Sequence, residues 1–222
     1  LQSAGIYLGE NNAVMNTRFG AMSSLTNTTA KTYTTASGAV VDFTTSNSNI
    51  TLSSPKFVFF EFDNGTAASG YFFDTTGDVT LQPWGEAFTA NQNGTHWRFG
   101  RVQMPSRVKN FTLGKPTDAT SSTPYYSVWY ANINASGSIK FYSSGQFNTT
   151  SSLILNTTLA ASGTSTPNAG ILFKSADRIQ LGIGNNLSTS GSDITLWADG
   201  DSSGLGAIYL DGTDVLNSGG GA

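Results

Sequence analysis

The chain has 222 residues, of which 38 % are hydrophobic and only 11 % are charged, with a formal charge of −3 and no cysteine. Ser, Thr, Asn and Gly take the place of Lys and Glu, a composition that disfavours helices and suits strands joined by tight turns. The 11 basic residues form no patch, so nucleic acid is not an expected partner, and no apolar run is long enough to predict a membrane span.

Short apolar or alternating segments, each closed by Gly, Asn, Asp or Ser, predict strands along the whole chain. In chain order these segments are 5–8, 39–43, 49–52, 57–62, 71–73, 78–81, 110–113, 127–133, 138–142, 152–155, 170–173, 178–181, 193–197 and 207–210. Many short strands at close intervals indicate an all-β sandwich, barrel or solenoid.

Several predicted strands share one plan, which is a small residue or Asp, then Ile, a variable residue, and Leu or Phe. The plan occurs at 137–141, 170–173 and 192–196, and residues 5–8 resemble residues 207–210. Alternation places the Ile and the Leu or Phe on one face, as each coil of a solenoid requires. The spacing is irregular, because 32, 23 and 14 residues separate Ile139, Ile171, Ile194 and Ile208.

Residues 189–204 resemble repeats in very large bacterial surface proteins of the filamentous-haemagglutinin-like type. Such repeats have a Ser-Gly turn, a strand ending in Leu-Trp-Ala-Asp (here 196–199), a Gly/Ser/Asp turn and a second strand similar to 206–210. Residues 110–116 and 173–178 are also similar, so the resemblance extends over about 111–222. It implies a right-handed parallel β-helix that serves in adhesion or filament building outside the cell.

The family's N-terminal secretion domain carries Asn-Pro-Asn sequences, and none occurs here. The chain also begins at Leu1 without a leader-like segment, so we expect an interior or processed piece of a longer protein. Three segments are predicted: 1–70, a β-rich repeat segment; 71–127, an irregular, aromatic β segment or insertion; and 128–222, the β-helix repeats. Alternatively, all three form one domain. Trp84 and Trp97 in the middle segment are expected to be core or rim aromatics.

A candidate calcium site lies at 199–204, where Asp199, Asp201 and Ser203 offer oxygen ligands and Gly204 follows at the sixth position. A full EF-hand loop needs a Glu at position twelve, where Leu210 stands. The alternative interpretation is a solvated turn in which Asp and Gly supply the unusual backbone angles. Asp211 and Asp214 would add ligands only if the fold brought the turns together.

Catalytic chemistry has two candidates in the sequence. Glu61 and Asp63 alternate on one strand face and could serve glycoside cleavage as acid and base. The alternative interpretation is that they mark the solvent-facing side of a strand whose other side is apolar. His96 is the only histidine, and no Gly-x-Ser-x-Gly elbow accompanies it. We therefore predict no catalytic residue, no cofactor apart from the calcium candidate, and no enzyme activity.

Asn-x-Ser/Thr is the densest pattern in the chain. Two interpretations stay open: glycans that protect exposed strand edges, or turn-to-strand chemistry at Asn before Thr. The candidate residues are Asn27, Asn49, Asn64, Asn93, Asn110, Asn134, Asn148, Asn156 and Asn186.

We expect a non-enzymatic extracellular or cell-surface protein with a structural or adhesive role, as a segment of a fibre or filament. A solenoid exposes apolar surface and unpaired strand edges at its ends, so self-association end to end or a longer chain should cover them. One alternative is a β-sandwich filament subunit joined by a donated strand within residues 1–16. Another is a carbohydrate-binding or polysaccharide-active β-helix protein that contacts host or surface glycans.

Overall fold

The computed structural model describes residues 6–8, 40–44, 47–53, 57–59, 70–83, 97–99, 102–116, 126–128, 131–143, 145–149, 153–158 and 169–220. This part of the chain forms twenty β-strands and no helix. The strands are β1 (Ile6–Leu8), β2 (Val40–Thr44), β3 (Ile50–Ser53), β4 (Phe57–Phe59), β5 (Gly70–Asp74), β6 (Val79–Gln82), β7 (Trp97–Phe99), β8 (Val102–Val108), β9 (Phe111–Leu113), β10 (Tyr126–Val128), β11 (Ala131–Ala135), β12 (Ile139–Ser143), β13 (Phe147–Thr149), β14 (Leu153–Thr157), β15 (Ala169–Ser175), β16 (Ile179–Leu181), β17 (Asn186–Ser188), β18 (Asp193–Trp197), β19 (Ile208–Leu210) and β20 (Val215–Asn217).

Consecutive strands enter three parallel sheets in turn. Sheet 1 has the order β1-β4-β7-β10-β13-β16-β19, sheet 2 the order β2-β5-β8-β11-β14-β17-β20, and sheet 3 the order β3-β6-β9-β12-β15-β18. One coil therefore consists of one strand from each sheet, and the fold is a right-handed parallel β-helix. The all-β prediction and the β-helix prediction are confirmed, and the β-sandwich alternative is not the fold of this chain.

The interior of sheet 3 consists of two apolar columns that run through its six strands. The first column is Ile50, Val79, Phe111, Ile139, Ile171 and Ile194. The second is Leu52, Leu81, Leu113, Phe141, Phe173 and Leu196. The predicted stacking of the Ile-x-Leu/Phe strands is thus the actual register of sheet 3, and alternation carries the intervening residues to the outside.

The short spacing between Ile194 and Ile208 is a change of sheet, and not a short repeat. Ile208 lies in sheet 1, where its register partner is Ile179, 29 residues earlier. The column of Ile208 continues through Phe147 and Tyr126, and Ile6 occupies the same column at the far end of sheet 1. The likeness of residues 5–8 to residues 207–210 therefore marks equivalent positions in one sheet.

Aromatic rings fill the junction between sheets 1 and 3. The rings of Phe141 and Phe173 stack in parallel with centroids 4.7 Å apart, and the Phe147 ring from sheet 1 stands edge-on to both, at 5.4 and 4.7 Å. Phe111 packs against Phe141 at 5.5 Å. Such pairs stabilise by about 0.5–1.5 kcal/mol each beyond their buried area, so this cluster ties three successive coils together.

Buried polar side chains close the corners between sheets. Between sheets 2 and 3, Thr189 Oγ1 donates to the Ser218 carbonyl of the next coil at 2.8 Å. Between sheets 3 and 1, Ser143 Oγ donates to the Gln146 carbonyl at 3.2 Å and accepts from Gly145 N at 3.3 Å. These contacts satisfy backbone groups at bends, where the strand ladder is interrupted.

Five strands were not expected from the sequence: β7, β8, β13, β17 and β20. β13, β17 and β20 have the sequences Phe-Asn-Thr, Asn-Leu-Ser and Val-Leu-Asn, none of which has two large apolar residues two positions apart, so no alternating pattern marks them. β8 contains Pro105, and a proline cannot donate a hydrogen bond to a strand ladder. The register of β8 with β11 shifts between Met104 and Val108, so the proline lies in a bulge where the ladder needs no donor. The predicted strand 127–133 is two strands, β10 and β11.

The predicted middle segment enters the same three sheets as its neighbours. β7 lies in sheet 1, β8 in sheet 2, and β6 and β9 in sheet 3. β1, inside the segment considered for strand donation, pairs in parallel with β4 of its own chain. The three segment boundaries themselves stay predictions. None of the described residues belongs to a helix with the length and apolar character needed to cross a membrane.

Candidate functional site

The turn proposed for calcium follows β18. Asp199 and Ser202 have φ angles of 57° and 60°, the left-handed values that turn residues such as Asp tolerate. Asp199 Oδ1 accepts hydrogen bonds from Ser203 Oγ at 3.1 Å and from Gly204 N at 2.9 Å, and Asp201 Oδ1 accepts from Ser203 N at 3.1 Å. The structure thus brings Asp199, Asp201 and Ser203 together, and one carboxylate oxygen of each Asp accepts hydrogen bonds from the turn itself.

The two later carboxylates belong to a different corner, between sheets 1 and 2. Asp214 Oδ1 accepts from Asn185 N at 3.0 Å and from Asn185 Nδ2 at 2.8 Å, and Asp214 Oδ2 accepts from Asp211 N at 3.0 Å. The two bonds from the buried Asn185 join the last two coils, and the bond from Asp211 N closes the later turn itself. Within the described ranges, no three His, Cys, Asp or Glu side chains come close enough to hold one metal ion.

Several sequence candidates lie outside the described residues. They are Asn27, Asn64 and Asn93 among the glycosylation candidates, Glu61 and Asp63 of the carboxylate pair, and His96 and Trp84. Trp97 begins β7, and Asn148 is the middle residue of β13.

Asn49 and Asn110 belong to a polar ladder that crosses sheet 3 at the beginning of its strands. Asp78 N donates to Asn49 Oδ1 at 2.8 Å, Asn110 Nδ2 donates to Asp78 Oδ1 at 2.9 Å, and Ser138 N donates to Asn110 Oδ1 at 2.9 Å. Asp78 and Asp193 occupy the same place as the two asparagines, directly before the first interior residue of a strand. The side-chain oxygens of Asn49 and Asn110 both accept a backbone N–H of the next coil, which supports the turn-to-strand interpretation for these two residues.

A second ladder lies on the outside of sheet 2. Asn134 Nδ2 donates to the Met104 carbonyl at 3.1 Å, and Asn156 Nδ2 donates to Asn134 Oδ1 at 3.3 Å. A glycan on either asparagine would replace a hydrogen atom on a nitrogen that already donates within the ladder. Asn186, by contrast, begins β17 with an exposed side chain, and its position is the most open of these three to a glycan.

The last coil exposes side chains whose counterparts one coil earlier are buried. Ile208 is 45 % exposed where its register partner Ile179 is 0 %, and Leu216 is 40 % exposed where Leu187 is 0 %. β18, β19 and β20 are the outermost strands of their sheets. The end face is defined here as the side chains of Ile208, Leu210 and Leu216 together with the free edges of β18, β19 and β20.

An outer column of sheet 3 leads toward the end face. It consists of Tyr142, Lys174 and Trp197, which are register partners in β12, β15 and β18. Lys174 Nζ lies 4.1 Å from the ring centroid of the half-exposed Trp197, a cation–π contact. Burial raises the pKa of the Tyr142 phenol above its ordinary value of 10.0.

No family model, curated protein or solved structure matches the chain. The resemblance of residues 189–204 to filamentous-haemagglutinin-like repeats therefore stays a prediction from the sequence.

Sequence reasoning missed the ladder of sheet 3, although the sequence contained a usable signal. Asn or Asp directly precedes an apolar-Thr pair at Asn49, Asp78, Asn110 and Asp193. Aligning the chain on these four residues would have found the ladder and the register of β3, β6, β9 and β18, four of the six strands of sheet 3.

Proposed function

We propose that the chain is a non-enzymatic building element of an extracellular surface fibre, in which stacked coils supply the length. Solenoid coils bury their interior only against neighbouring coils, so the whole rod repeats one type of interface. What supports the proposal is the end face, where interior residues of sheets 1 and 2 are about half exposed.

Covering the end face contributes free energy toward association. Fully burying an Ile or Leu side chain stabilises by about 1.5–3 kcal/mol, so covering three half-exposed ones contributes on the order of 2–4 kcal/mol. The strand edges add unpaired N–H and C=O groups, which pair readily with another strand. A surface with both features is suited to receive a further coil.

The extracellular location and the adhesive role have a different support. They come from the resemblance of residues 189–204 to repeats of large bacterial surface proteins. The composition agrees with it, because a chain with 11 % charged residues and abundant Ser, Thr and Asn presents a polar, weakly charged exterior.

Electron microscopy and sedimentation of the purified chain over a range of concentrations test the proposal. We expect concentration-dependent rods or fibres with a regular axial repeat. Ile208→Glu places a charge in the end face and should abolish them. Ile183→Glu is the matched control, because Ile183 is 67 % exposed but lies in the corner between sheets 1 and 2. Dispersed particles at every concentration, for wild type and both variants alike, would contradict the proposal.

A further inference from the structure

We propose that the outer face of sheet 3 binds the same face of a second copy of this chain, with the two rods running in opposite directions. The contact involves the outer residues of β9, β12, β15 and β18 and the corners at both ends of these strands, which are called the sheet 3 flank here. Because this flank lies along the side of the rod, the contact is independent of the end face and goes beyond the proposed function. It joins rods side by side.

Basic side chains gather on the sheet 3 flank in three successive coils. Lys140 and Lys174 lie on the outside of β12 and β15, since both alternate with buried interior phenylalanines. Lys109 lies just before β9, Lys115 follows the end of β9, and Arg178 lies in the corner after β15. These five are the basic residues whose side chains the structure describes. No such patch is visible in the sequence, because 25 and 34 residues separate Lys115, Lys140 and Lys174.

Acidic side chains have a different distribution on this flank. Among the described residues between 109 and 178, the acidic one is Asp177, whose Oδ2 accepts a hydrogen bond from Gln146 Nε2 at 2.9 Å. The next strand, β18, is bracketed by carboxylates, because Asp193 begins it and Asp199 and Asp201 follow its end. From 179 onward the described residues include five Asp and no Lys or Arg. The described part of the flank is therefore basic over three strands and acidic at the fourth.

Antiparallel pairing of two such flanks brings opposite charges together on both sides of a symmetry axis. A two-fold axis that runs parallel to the strands, midway between β12 and β15, places β9 of one copy opposite β18 of the other. Lys109 and Asp193 then meet at the beginnings of the two strands, and Lys115 and Asp201 meet beyond their ends. The symmetry repeats both pairs on the other side of the axis. A parallel arrangement with the same shift would match these charges once only.

The centre of this interface places no like charges opposite each other. β12 lies opposite β15 of the second copy, so Lys140 faces Leu172 and Lys174 faces Tyr142. Leu172 is a partly exposed apolar residue on the outside of the sheet, and the aliphatic stem of Lys140 can cover it.

The size of the contact predicts a weak dimer. Four strands at about 4.8 Å each and the seven residues from 109 to 115 at about 3.3 Å each give roughly 440 Å² per copy. An area of this size belongs to the class of weak, transient interfaces. Because its charge pairs are exposed to solvent, salt should weaken the dimer further.

Charge reversal across the interface tests the pairing. All variants contain Ile208→Glu, so that association through the end face does not contribute. Lys115→Glu alone and Asp201→Lys alone each place like charges opposite each other on both sides of the axis, so each should dimerise about tenfold more weakly than the parent. A mixture of the two variants restores opposite charges at both places and should form heterodimers. Asp211→Lys is the matched control, because Asp211 is also exposed but lies in the corner between sheets 1 and 2.

Sedimentation measures dimerisation at about 0.01 M salt, where charges interact over about 30 Å, and at about 1 M salt, where screening shortens this range to about 3 Å. We expect the parent, Asp211→Lys and the mixture to form dimers at low salt and monomers at high salt. A mixture without heterodimers would overturn the inference, and so would a parent that is monomeric at low salt. A monomeric parent that binds a sulfated glycan through these lysines would assign the flank to an anionic glycan instead. Since the end face is blocked in every variant, each of these outcomes leaves the proposed function standing.

Discussion

Asn110 donates a hydrogen bond from Nδ2 to Oδ1 of Asp78, 2.9 Å away in the preceding coil. The same Asn110 side chain accepts from the backbone of Ser138 in the next coil, at 2.9 Å. One amide thus joins three successive coils, because it offers a donor and an acceptor at once. An Asp side chain suits a position in the ladder that only accepts a hydrogen bond. At position 110 the side chain must both donate and accept, as an amide does.

Asn110→Asp is expected to lower the free energy of unfolding at pH 7. The introduced carboxylate would face the Asp78 carboxylate at about 3 Å, which raises the pKa of one of the two above its unfolded value near 4. A group with a raised folded pKa gives its full stability below the unfolded pKa and loses it as pH rises through the folded pKa. Denaturant unfolding at pH 7 should therefore give a lower free energy of unfolding for the variant than for the wild type, by about 1.4 kcal/mol per unit of pKa shift. The difference should become smaller as the pH falls toward 3–4.

Asn49→Asp is the control for this ladder substitution. Asn49 Oδ1 accepts from Asp78 N at 2.8 Å, and a carboxylate oxygen accepts that bond equally well. We expect unchanged stability at both pH values. A deficit of the same size and pH dependence in both variants would show that charge alone, and not the donor of Asn110, is responsible.

Gly170→Ala is expected to destabilise the fold by about 1–3 kcal/mol, the usual cost of overpacking. Gly170 is the extra residue of β15 where its register with β18 shifts, and a Cβ there would collide with Ser192 Oγ. Gly212→Ala is the matched control, since a Cβ there meets no atom within 4 Å. Thermal unfolding should lower Tm for the first variant only; equal Tm values would mean that Ser192 moves aside.

Tyr142 is expected to make the protein sensitive to alkali. Its folded pKa is raised by burial, so between the unfolded and folded pKa values the unfolded chain has lost the proton that the folded chain still holds, and stability falls as pH rises. Tyr142→Phe should reduce this loss above pH 10, measured as Tm against pH. Identical alkaline profiles for wild type and variant would contradict the assignment to Tyr142.

The sequence predicts the interior of this protein better than its corners. Residues such as Ile139 and Phe141 alternate visibly, because burial on one face demands it. Corner length is not fixed by burial: 32 residues separate Ile139 from Ile171, but 23 separate Ile171 from Ile194. A three-residue strand with a single interior apolar residue, such as β17 with Leu187, has no alternating pattern, and only the register reveals it.

The candidate sites were predictable in type but not in arrangement. The sequence identifies the Asp-Gly turn at 199–204, and the structure adds that Asp199 Oδ1 accepts hydrogen bonds from Ser203 and Gly204. The sequence also gives Asn110 as one of several Asn-x-Thr positions. Its place between Asp78 and Ser138 follows from the stacking of coils 28 to 32 residues apart, which no local pattern contains.

Phe141→Ala is expected to cost about 3–5 kcal/mol, because the fully buried ring contacts those of Phe111, Phe147 and Phe173. Phe141→Leu should cost less, since Leu196 occupies the same column in a later coil. Denaturant unfolding of both variants measures the difference. Equal losses would mean that ring stacking, and not the filling of the column, stabilises this part of the interior.

Calcium is expected to leave the stability of the chain unchanged. Calcium binds six to eight oxygen ligands, whereas the turn at 199–204 supplies only two carboxylates, and Asp199 Oδ1 already accepts two hydrogen bonds. Tm should be the same with millimolar calcium and with a chelator, because a ligand raises Tm only by binding the folded state. Asp199→Asn keeps an acceptor for both bonds and serves as the comparison. A rise in Tm with calcium that Asp199→Asn removes would establish a cation site in this turn.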